Sequence, residues 1–457
     1  MKFKRIKKLH FIGIGGTGMC GIAEVLHNLG YNISGSDLIK TEVTEYLEKL
    51  GIKISYNHDE KNIAGADVVV YSSAVRPDNP ELTAAVTRKI PSISRAEMLA
   101  ELMKMKFSIA VAGTHGKTTT TSLIGHVLTA AGLDPTVIVG GRVLGVGTNA
   151  YVGKGEYVVA EADEFDRSLL RFYPTIAVIT SIEREHMECY KDLDDLYDCF
   201  VEFASRVPFY GSIIYCLDDP GLQQIRARFS RPSIAYGFSR HADIYATDLV
   251  FSENKTKFVC QSNGNRLGEV EIPLLGRHNA LNALAVLAVA LDLEIPFNTA
   301  VAALKTFPGV GRRFELVGQV DGIRVYDDFA HHPTEVKTTL EGIRKSHTGR
   351  IVAVFQPHLF SRTRNFASDF GKSFFDSDLL VVTDVYPSRE KPVEGVTGQL
   401  VAEAAKKSGH KHVDYIANKA EIPARLKGQL QQGDLVVMIG AGDINRISRD
   451  LLKELKR

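Results

Sequence analysis

Residues 111–122 read VAGTHGKTTTTS, and the fold turns on how they are read. The run Gly116-Lys117-Thr118 is how a phosphate-binding loop ends. The strict pattern G-x-x-x-x-G-K-[ST] asks for glycine six residues before the lysine, where this chain has Val111. An apolar run, Phe107 to Ala112, enters the segment, and SLIGHVLTAAG leaves it with helical spacing, so the loop sits between a strand and a helix. Gly113 and Gly116 let the backbone bend around phosphate, Lys117 brings a cation to the β- and γ-oxygens, and the Thr118 hydroxyl suits Mg²⁺. Val111 removes only the wide first turn of the usual loop, so a shorter variant is physically sound.

Outward from this loop the same pattern repeats. Short apolar runs such as LHFIGIGG, ADVVVYSS, EYVVAEAD, IAVITS, GSIIYCLDD, IVAVFQP and DLVVMIGAGD end in Gly, Asp or Ser and precede stretches of helical period. Such runs are strands buried on both faces, and their alternation with helices implies parallel sheets. Ligands then bind beyond the strands' carboxyl ends. Breaks near MKMK (103–106) and PGVG (308–311) divide the chain into expected domains 1–104, 105–310 and 311–457. Residues 243–275 alternate and contain Ser-Asn-Gly-Asn, the mark of a small antiparallel insert, and Asp321-Gly322 marks a hairpin. The expected fold is α/β in three domains. These are a Rossmann-like N-terminal domain, a P-loop ATPase-type central parallel sheet with the antiparallel insert, and a Rossmann-like C-terminal domain.

Composition excludes several classes. At 457 residues the chain exceeds one core, and a net charge of +1 gives no global field to recruit nucleic acid or an anionic membrane. Five scattered cysteines without a C-x-x-C pair argue for a reducing compartment and against disulfide or zinc frameworks. The basic start MKFKRIKK runs into glycine-rich LHFIGIGGTG rather than a signal-peptide core, and no run approaches the roughly 18 apolar residues of a membrane span. A cytoplasmic protein with no membrane insertion and no nucleic-acid partner is expected.

Several clusters carry chemistry. Gly13-x-Gly15-x-x-Gly18 follows a strand and opens a helix, and Asp37 ends the next strand about 20 residues on. That fingerprint specifies a diphosphate on a nucleoside, and NAD and a UDP-sugar both qualify. Glu161-Ala-Asp163-Glu-Phe-Asp166 follows the strand EYVVA, with Glu161 at its carboxyl end, where a hard cation needs carboxylate oxygen. Asp163, Glu164 and Asp166 read as a solvated face as readily as a site. His186, in Ser181-Ile-Glu-Arg-Glu185-His186, follows another strand end of the same sheet, as a ligand or as a structural histidine. Asn279 and Asn282, three apart on one helix face, suit an adenine edge or helix capping. In the third domain GRRF (311–314), DDFAHHP (327–333) and QPHLFSRTR (356–364) gather cations suited to an anionic substrate or to surface ion pairs.

Taken together, GIGGTGM, GTHGKTTTT, EADEFD, VPFYG, GVGRRFE, YDDFAHHPTEV and QPHLFSRTR resemble the Mur ligase family, the cytoplasmic ATP-dependent amide ligases of peptidoglycan synthesis. The resemblance runs through all three domains and is strongest to the branch that adds L-alanine. The family's shortened phosphate loop, G-T-x-G-K-T, is matched by Gly113 to Thr118. The resemblance implies ATP and Mg²⁺, with UDP-N-acetylmuramate and L-alanine as small-molecule substrates; the sequence leaves monomer or homodimer open. It places Gly15, Gly16, Gly18, Asp37, Ser72 and Ser73 at the UDP-sugar. Gly113, Thr114, His115, Gly116, Lys117, Thr118 and Thr119 would hold ATP phosphates, and Asn279, Asn282, Arg313 and Asp328 the rest of the nucleotide. Thr118, Glu161 and His186 would ligate magnesium, and Lys117, His332, His358 and Arg362 would serve catalysis. Three departures stand out: Ser181 and Glu185 replace the Asn and Asp of the family's Asn-x-x-x-Asp-His, and Leu359 stands where relatives of this branch often carry arginine. Residues 198–210 lack the lysine that other branches carbamoylate. Rival readings are a murein-peptide ligase, an NAD-dependent oxidoreductase built on the first fingerprint, and a P-loop switch or motor.

Overall fold

The computed structural model describes residues 5–72, 74–140, 150–185, 187, 189–252, 255–388 and 390–456. Among them lie three sheets. The first holds β1 (Lys8–Ile12), β2 (Asn32–Ser36), β3 (Lys53–Ser55), β4 (Val68–Tyr71) and β5 (Ser92–Ser94), all parallel, in the order β3-β2-β1-β4-β5. This is the doubly wound order, and its switch point falls beside β1, where the glycine fingerprint begins.

The second sheet contains β6 (Phe107–Ala112), β7 (Thr136–Ile138), β8 (Ala150–Tyr151), β9 (Tyr157–Glu161), β10 (Ile176–Ile179), β11 (Ser212–Cys216) and β12 (Ser233–Gly237). It continues through β13 (Ile244–Ser252), β14 (Lys255–Ser262) and β15 (Asn265–Ile272). Their order is β15-β14-β13-β12-β11-β10-β6-β9-β7-β8. β6 pairs in parallel with β10 on one side and β9 on the other, so the loop Gly113–Gly116 leaves the interior of the sheet. The expected antiparallel insert is therefore an extension of the sheet edge. Asn263 (φ 48°) and Gly264 (φ 80°) turn β14 into β15, the two positive φ values that a two-residue hairpin turn needs.

The third sheet runs β16 (Glu315–Val320), β17 (Ile323–Asp328), β18 (Ile351–Phe355), β19 (Leu379–Val382), β20 (Val413–Tyr415) and β21 (Leu435–Ile439), in the order β16-β17-β21-β18-β19-β20. Only the β16–β17 hairpin is antiparallel, and it turns at Asp321 (φ 47°) and Gly322 (φ 79°). The chain groups into two compact units. One comprises Met1–Leu249, Phe258–Ile272 and Ala280–Pro308, and the other Val250–Lys257, Pro273–Asn279 and Gly309–Arg457. The first two sheets thus share a unit, apart from the strand ends at Val250–Lys257.

Beneath the first sheet a carboxylate is buried outright. Glu81, fully inaccessible, accepts from Ser36 Oγ (2.7 Å) and Asn62 Nδ2 (2.7 Å) and meets His10 Nε2 at 3.2 Å and His58 Nδ1 at 3.4 Å. Burial alone would raise its pKa, yet the hydrogen bonds from His10, Asn62 and Ser36 outweigh it and hold the acid at about 2. A carboxyl depressed in the fold stabilises fully above its unfolded value and loses that contribution as pH falls through the folded one. Stability from Glu81 should therefore persist above pH 4.5 and fade towards pH 2. Glu81→Ala strands the histidines and hydroxyl, and urea titration at pH 7 should show a loss of about 3 kcal/mol. Below about pH 3 the difference from wild type should shrink; a constant difference across pH would contradict this account.

Candidate nucleotide and substrate sites

The loop Gly113–Gly116 is fixed by what lies beneath it. Gly113 has φ 127°, and a Cβ there would sit 2.2 Å from Thr180 Oγ1 and 2.9 Å from the Ser181 backbone. The close approach is used. Thr114 N donates to Ser181 O (2.9 Å), His115 N to Ser181 Oγ (3.1 Å), and Glu183 N to Thr114 Oγ1 (2.9 Å). Thr180 Oγ1 reaches the carbonyls of Ala112 (3.2 Å) and His115 (2.5 Å). Ser181, which departs from the family pattern, thus holds the loop itself. Its own segment is braced by Asp219, whose Oδ1 accepts from Ile182 N and Leu222 N and whose carboxyl burial pushes up to about 6. Val111 is a fully buried strand residue paired with Glu161 and Val178, so the strand continues where a longer loop would begin.

Gly116 caps the helix Lys117–Ala130 in a left-handed conformation (φ 82°), aiming the first-turn N–H groups at the loop's mouth. A Cβ on Gly116 would meet Asn282 Oδ1 at 2.7 Å, and that oxygen also accepts from Thr120 Oγ1 at 3.2 Å. Asn282 is 6% exposed. The Asn282 amide oxygen is thus engaged at the loop. Asn279 Nδ2 donates to Leu275 O (2.8 Å).

Lys117 Nζ donates to Gly113 O (2.5 Å) and reaches both oxygens of Glu164, at 2.8 and 3.1 Å. Burial would lower its pKa, but the charges of Glu164, Asp163 and Glu185 outweigh that and push it up, so the ammonium stays protonated. Glu161 ends β9, the strand next to β6, on the same carboxyl edge as the loop. Its Oε1 accepts from Gly140 N at 2.7 Å. The hydroxyl of Thr118 and the carboxylate of Glu161 are hard oxygen donors and suit Mg²⁺. His186 and Ser73 lie outside the described residues.

In the first sheet Gly13 turns with φ 76°, and Gly16 caps the helix Thr17–Asn28. Asp37 Oδ2 accepts from Gly15 N (2.9 Å) and Oδ1 from Leu38 N (2.8 Å), so this acid ties down the glycine turn. A Cβ on Gly18 would lie 2.8 Å from Arg95 NH1. Arg95 thus brings a guanidinium to the fingerprint helix. Ser72 sits after β4, its Oγ accepting from Ala74 N (3.3 Å).

In the third sheet Asp328 was expected at the nucleotide, but both its oxygens are engaged: Phe314 N donates to Oδ2 (2.8 Å) and Ala330 N to Oδ1 (2.9 Å). It shapes the turn carrying Arg312 (φ 60°) and Arg313. Arg312 bonds Asp327 (3.1 Å) and the Gly440 carbonyl (2.7 Å), while Arg313 lies over the Phe329 ring and 3.8 Å from Glu335. Burial, opposed by Arg312, raises Asp327 to about 6. His332 caps the helix Pro333–Ser346, its Nδ1 accepting from Thr334 N (3.4 Å). His358 stacks on Tyr386, lies 5.8 Å from the His331 ring and meets Arg362 NH1 at 3.3 Å. Leu359, between them, has φ 71° and ψ 135°, a conformation hostile to a side chain and retained at functional sites. Sequence reasoning gave no role to Arg95, Thr180 or Glu183, because each acts through a partner distant in the chain.

Residues 8–107 match the Mur ligase family catalytic domain, 111–290 the Mur ligase middle domain and 312–442 the Mur ligase glutamate ligase domain. The chain belongs to the Mur ligase family. The UDP-N-acetylmuramate–L-alanine ligase of Geotalea uraniireducens is 49% identical over 454 residues, covering 99% of each chain. Among solved structures, the UDP-N-acetylmuramate-alanine ligase of Thermotoga maritima superposes with a TM-score of 0.84 at 30% identity, covering 98% of this chain and 99% of that one. A murein peptide ligase of Psychrobacter arcticus gives 0.72 at 25% identity, covering 98% of each. Among the described residues no helix is long and apolar enough to cross a membrane.

Gly113→Ala tests the loop. Its Cβ cannot be accommodated beside Thr180, so ADP affinity by calorimetry should fall at least about tenfold, with stability down about 2–3 kcal/mol. Gly428→Ala, in open space with φ −72°, should change stability by less than about 0.5 kcal/mol.

Proposed function

We propose that this chain is an ATP-dependent, ADP-forming ligase that joins L-alanine to the lactyl carboxylate of UDP-N-acetylmuramate in peptidoglycan precursor synthesis. The observation that carries the proposal is near-half identity, end to end, with a relative of that name. It is supported by a protonated Lys117 and a strand-end Glu161 on one sheet edge. The NAD-dependent oxidoreductase and the P-loop switch or motor do not survive family membership, since neither accounts for the three matched domains.

A carboxylate and an amine do not condense in neutral water, so the acid needs activation. The lactyl carboxylate attacks the γ-phosphate in line, the bond to ADP breaks, and an acyl phosphate forms. The alanine amine then displaces phosphate and loses a proton. No nucleophilic side chain is required, and catalysis is positioning and charge neutralisation. Lys117 and the first-turn amides of its helix neutralise the γ-phosphoryl oxygens. Mg²⁺, held by Thr118, Glu161 and His186, would supply further charge neutralisation there. Asn282, Thr180 and Ser181 keep the loop in shape. Gly15, Gly16, Gly18, Ser72 and Ser73, with Asp37 behind them and Arg95 alongside, take the UDP diphosphate and its nucleoside. Asn279 and Arg313 serve the rest of ATP, and His332, His358 and Arg362 the reacting acceptor and amino acid. The division 1–104, 105–310 and 311–457 assigns these tasks to UDP-sugar, ATP and closing domains. The enzyme works in the cytoplasm as a monomer or homodimer.

Phosphate release decides the matter. ATP alone should be hydrolysed slowly, and UDP-N-acetylmuramate plus L-alanine should raise the rate steeply. Lys117→Met should lower turnover by about 10³. Full release from ATP alone would mark a switch or motor, and preference for a tripeptide over alanine would mark the murein-peptide activity of the Psychrobacter relative.

A further inference from the structure

The acid facing Lys117 is not the strand-end Glu161. It is Glu164, three residues on, 2% exposed, with both oxygens on the ammonium. An ammonium has three donors. Here they are directed to the Gly113 carbonyl, more weakly to the Thr114 carbonyl (3.4 Å), and to the Glu164 carboxylate. A triphosphate approaching this loop must therefore take a donor from one of these acceptors. The carbonyls are neutral and belong to the loop. Glu164 is the charged acceptor, and it cannot remain against the ammonium once phosphate oxyanions share the same low-dielectric space.

The backbone of Glu164 is pinned. Its carbonyl accepts from Tyr190 Oη (2.5 Å) and from Arg167 N (3.1 Å). The two residues that follow Phe165, Asp166 (φ 52°) and Arg167 (φ 59°), are both left-handed, a backbone region that side chains disfavour. Arg167 is held against Asp195 and over the Tyr190 ring, which keeps that strained turn in place. With the main chain fixed, exchange falls to the side-chain torsions of Glu164.

We propose that Glu164 is the resident counter-ion of Lys117, a positioning residue that holds the ammonium in the empty loop and is displaced from it by nucleotide phosphate. The inference rests on the ligase reading above and adds a residue to its nucleotide site. An ammonium buried without a counter-charge would destabilise the empty loop, so the pair keeps the loop formed between turnovers. The same pair opposes nucleotide binding, because each binding event breaks it.

The test is calorimetric titration of Mg-ADP into the full-length wild type, Glu164→Gln and Glu164→Asp, alongside turnover. Glu164→Gln keeps the shape and removes the charge, so ADP should bind about tenfold more tightly while turnover falls, since product leaves more slowly and Lys117 is less well placed. Glu164→Asp keeps the charge but is one methylene shorter, and should fall between. A purely structural Glu164 would instead weaken ADP binding and lower the unfolding temperature together. Equal or weaker ADP binding by a folded Glu164→Gln overturns the inference and leaves the ligase reading intact. Failure of the wild type to bind ADP overturns both. If circular dichroism shows that Glu164→Gln does not fold, Glu164→Asp decides: affinity raised a few-fold supports the exchange, and unchanged or reduced affinity overturns it.

Discussion

A buried ammonium must be matched by negative charge, and the architecture of the first unit follows from how Lys117 is matched. Its helix begins at the mouth of a loop between β6 and the strand ends on either side. From β9 come Glu161 and, just beyond, Asp163 and Glu164, and from the segment after β10 come Ser181, Glu183 and Glu185. Parallel strands deliver all of these to one edge because every carboxyl end points the same way. Were β9 or β10 reversed, the cation would face apolar strand starts instead. The field that raises the Lys117 pKa is thus a consequence of sheet direction as much as of residue choice.

The same device recurs at three loops. Asp37 accepts from the Gly15 amide, Glu161 from the Gly140 amide, and Asp328 from the amides of Phe314 and Ala330. In each case a carboxylate at a strand end pins the backbone of a neighbouring turn. A charged acceptor roughly doubles the strength of such a bond and fixes the turn's geometry. Arg95 and Arg312 then bring guanidinium charge to turns already held in place.

What was legible in the sequence was local. Gly113 to Thr118 announces itself because the family's shortened loop pattern is written in six consecutive residues. Asn263-Gly264 and Asp321-Gly322 announce hairpins because few other pairs adopt two positive φ values cheaply. The position of β21 between β17 and β18 was not legible, since apolar strands buried on both faces carry little information about their neighbours. Glu164 looked like one charge in a solvated run. Its partner lies 47 residues away, and a left-handed turn at Asp166 and Arg167 follows it. Asn282 was found by spacing and Asp328 through the family resemblance; what neither could give is that Asn282 Oδ1 accepts from Thr120 and that both Asp328 oxygens accept from backbone amides. Spacing identifies a polar group near a site, and its hydrogen bonds decide whether it serves the ligand or the loop.

The central claim is that the cation and acids of this edge converge on one triphosphate in order to phosphorylate a carboxylate. The most direct measurement uses UDP-N-acetylmuramate labelled with ¹⁸O in its lactyl carboxylate and follows the label after turnover with ATP and L-alanine. The account predicts one labelled oxygen in the released phosphate per amide formed. Phosphate free of label, with the amide still formed, would contradict it.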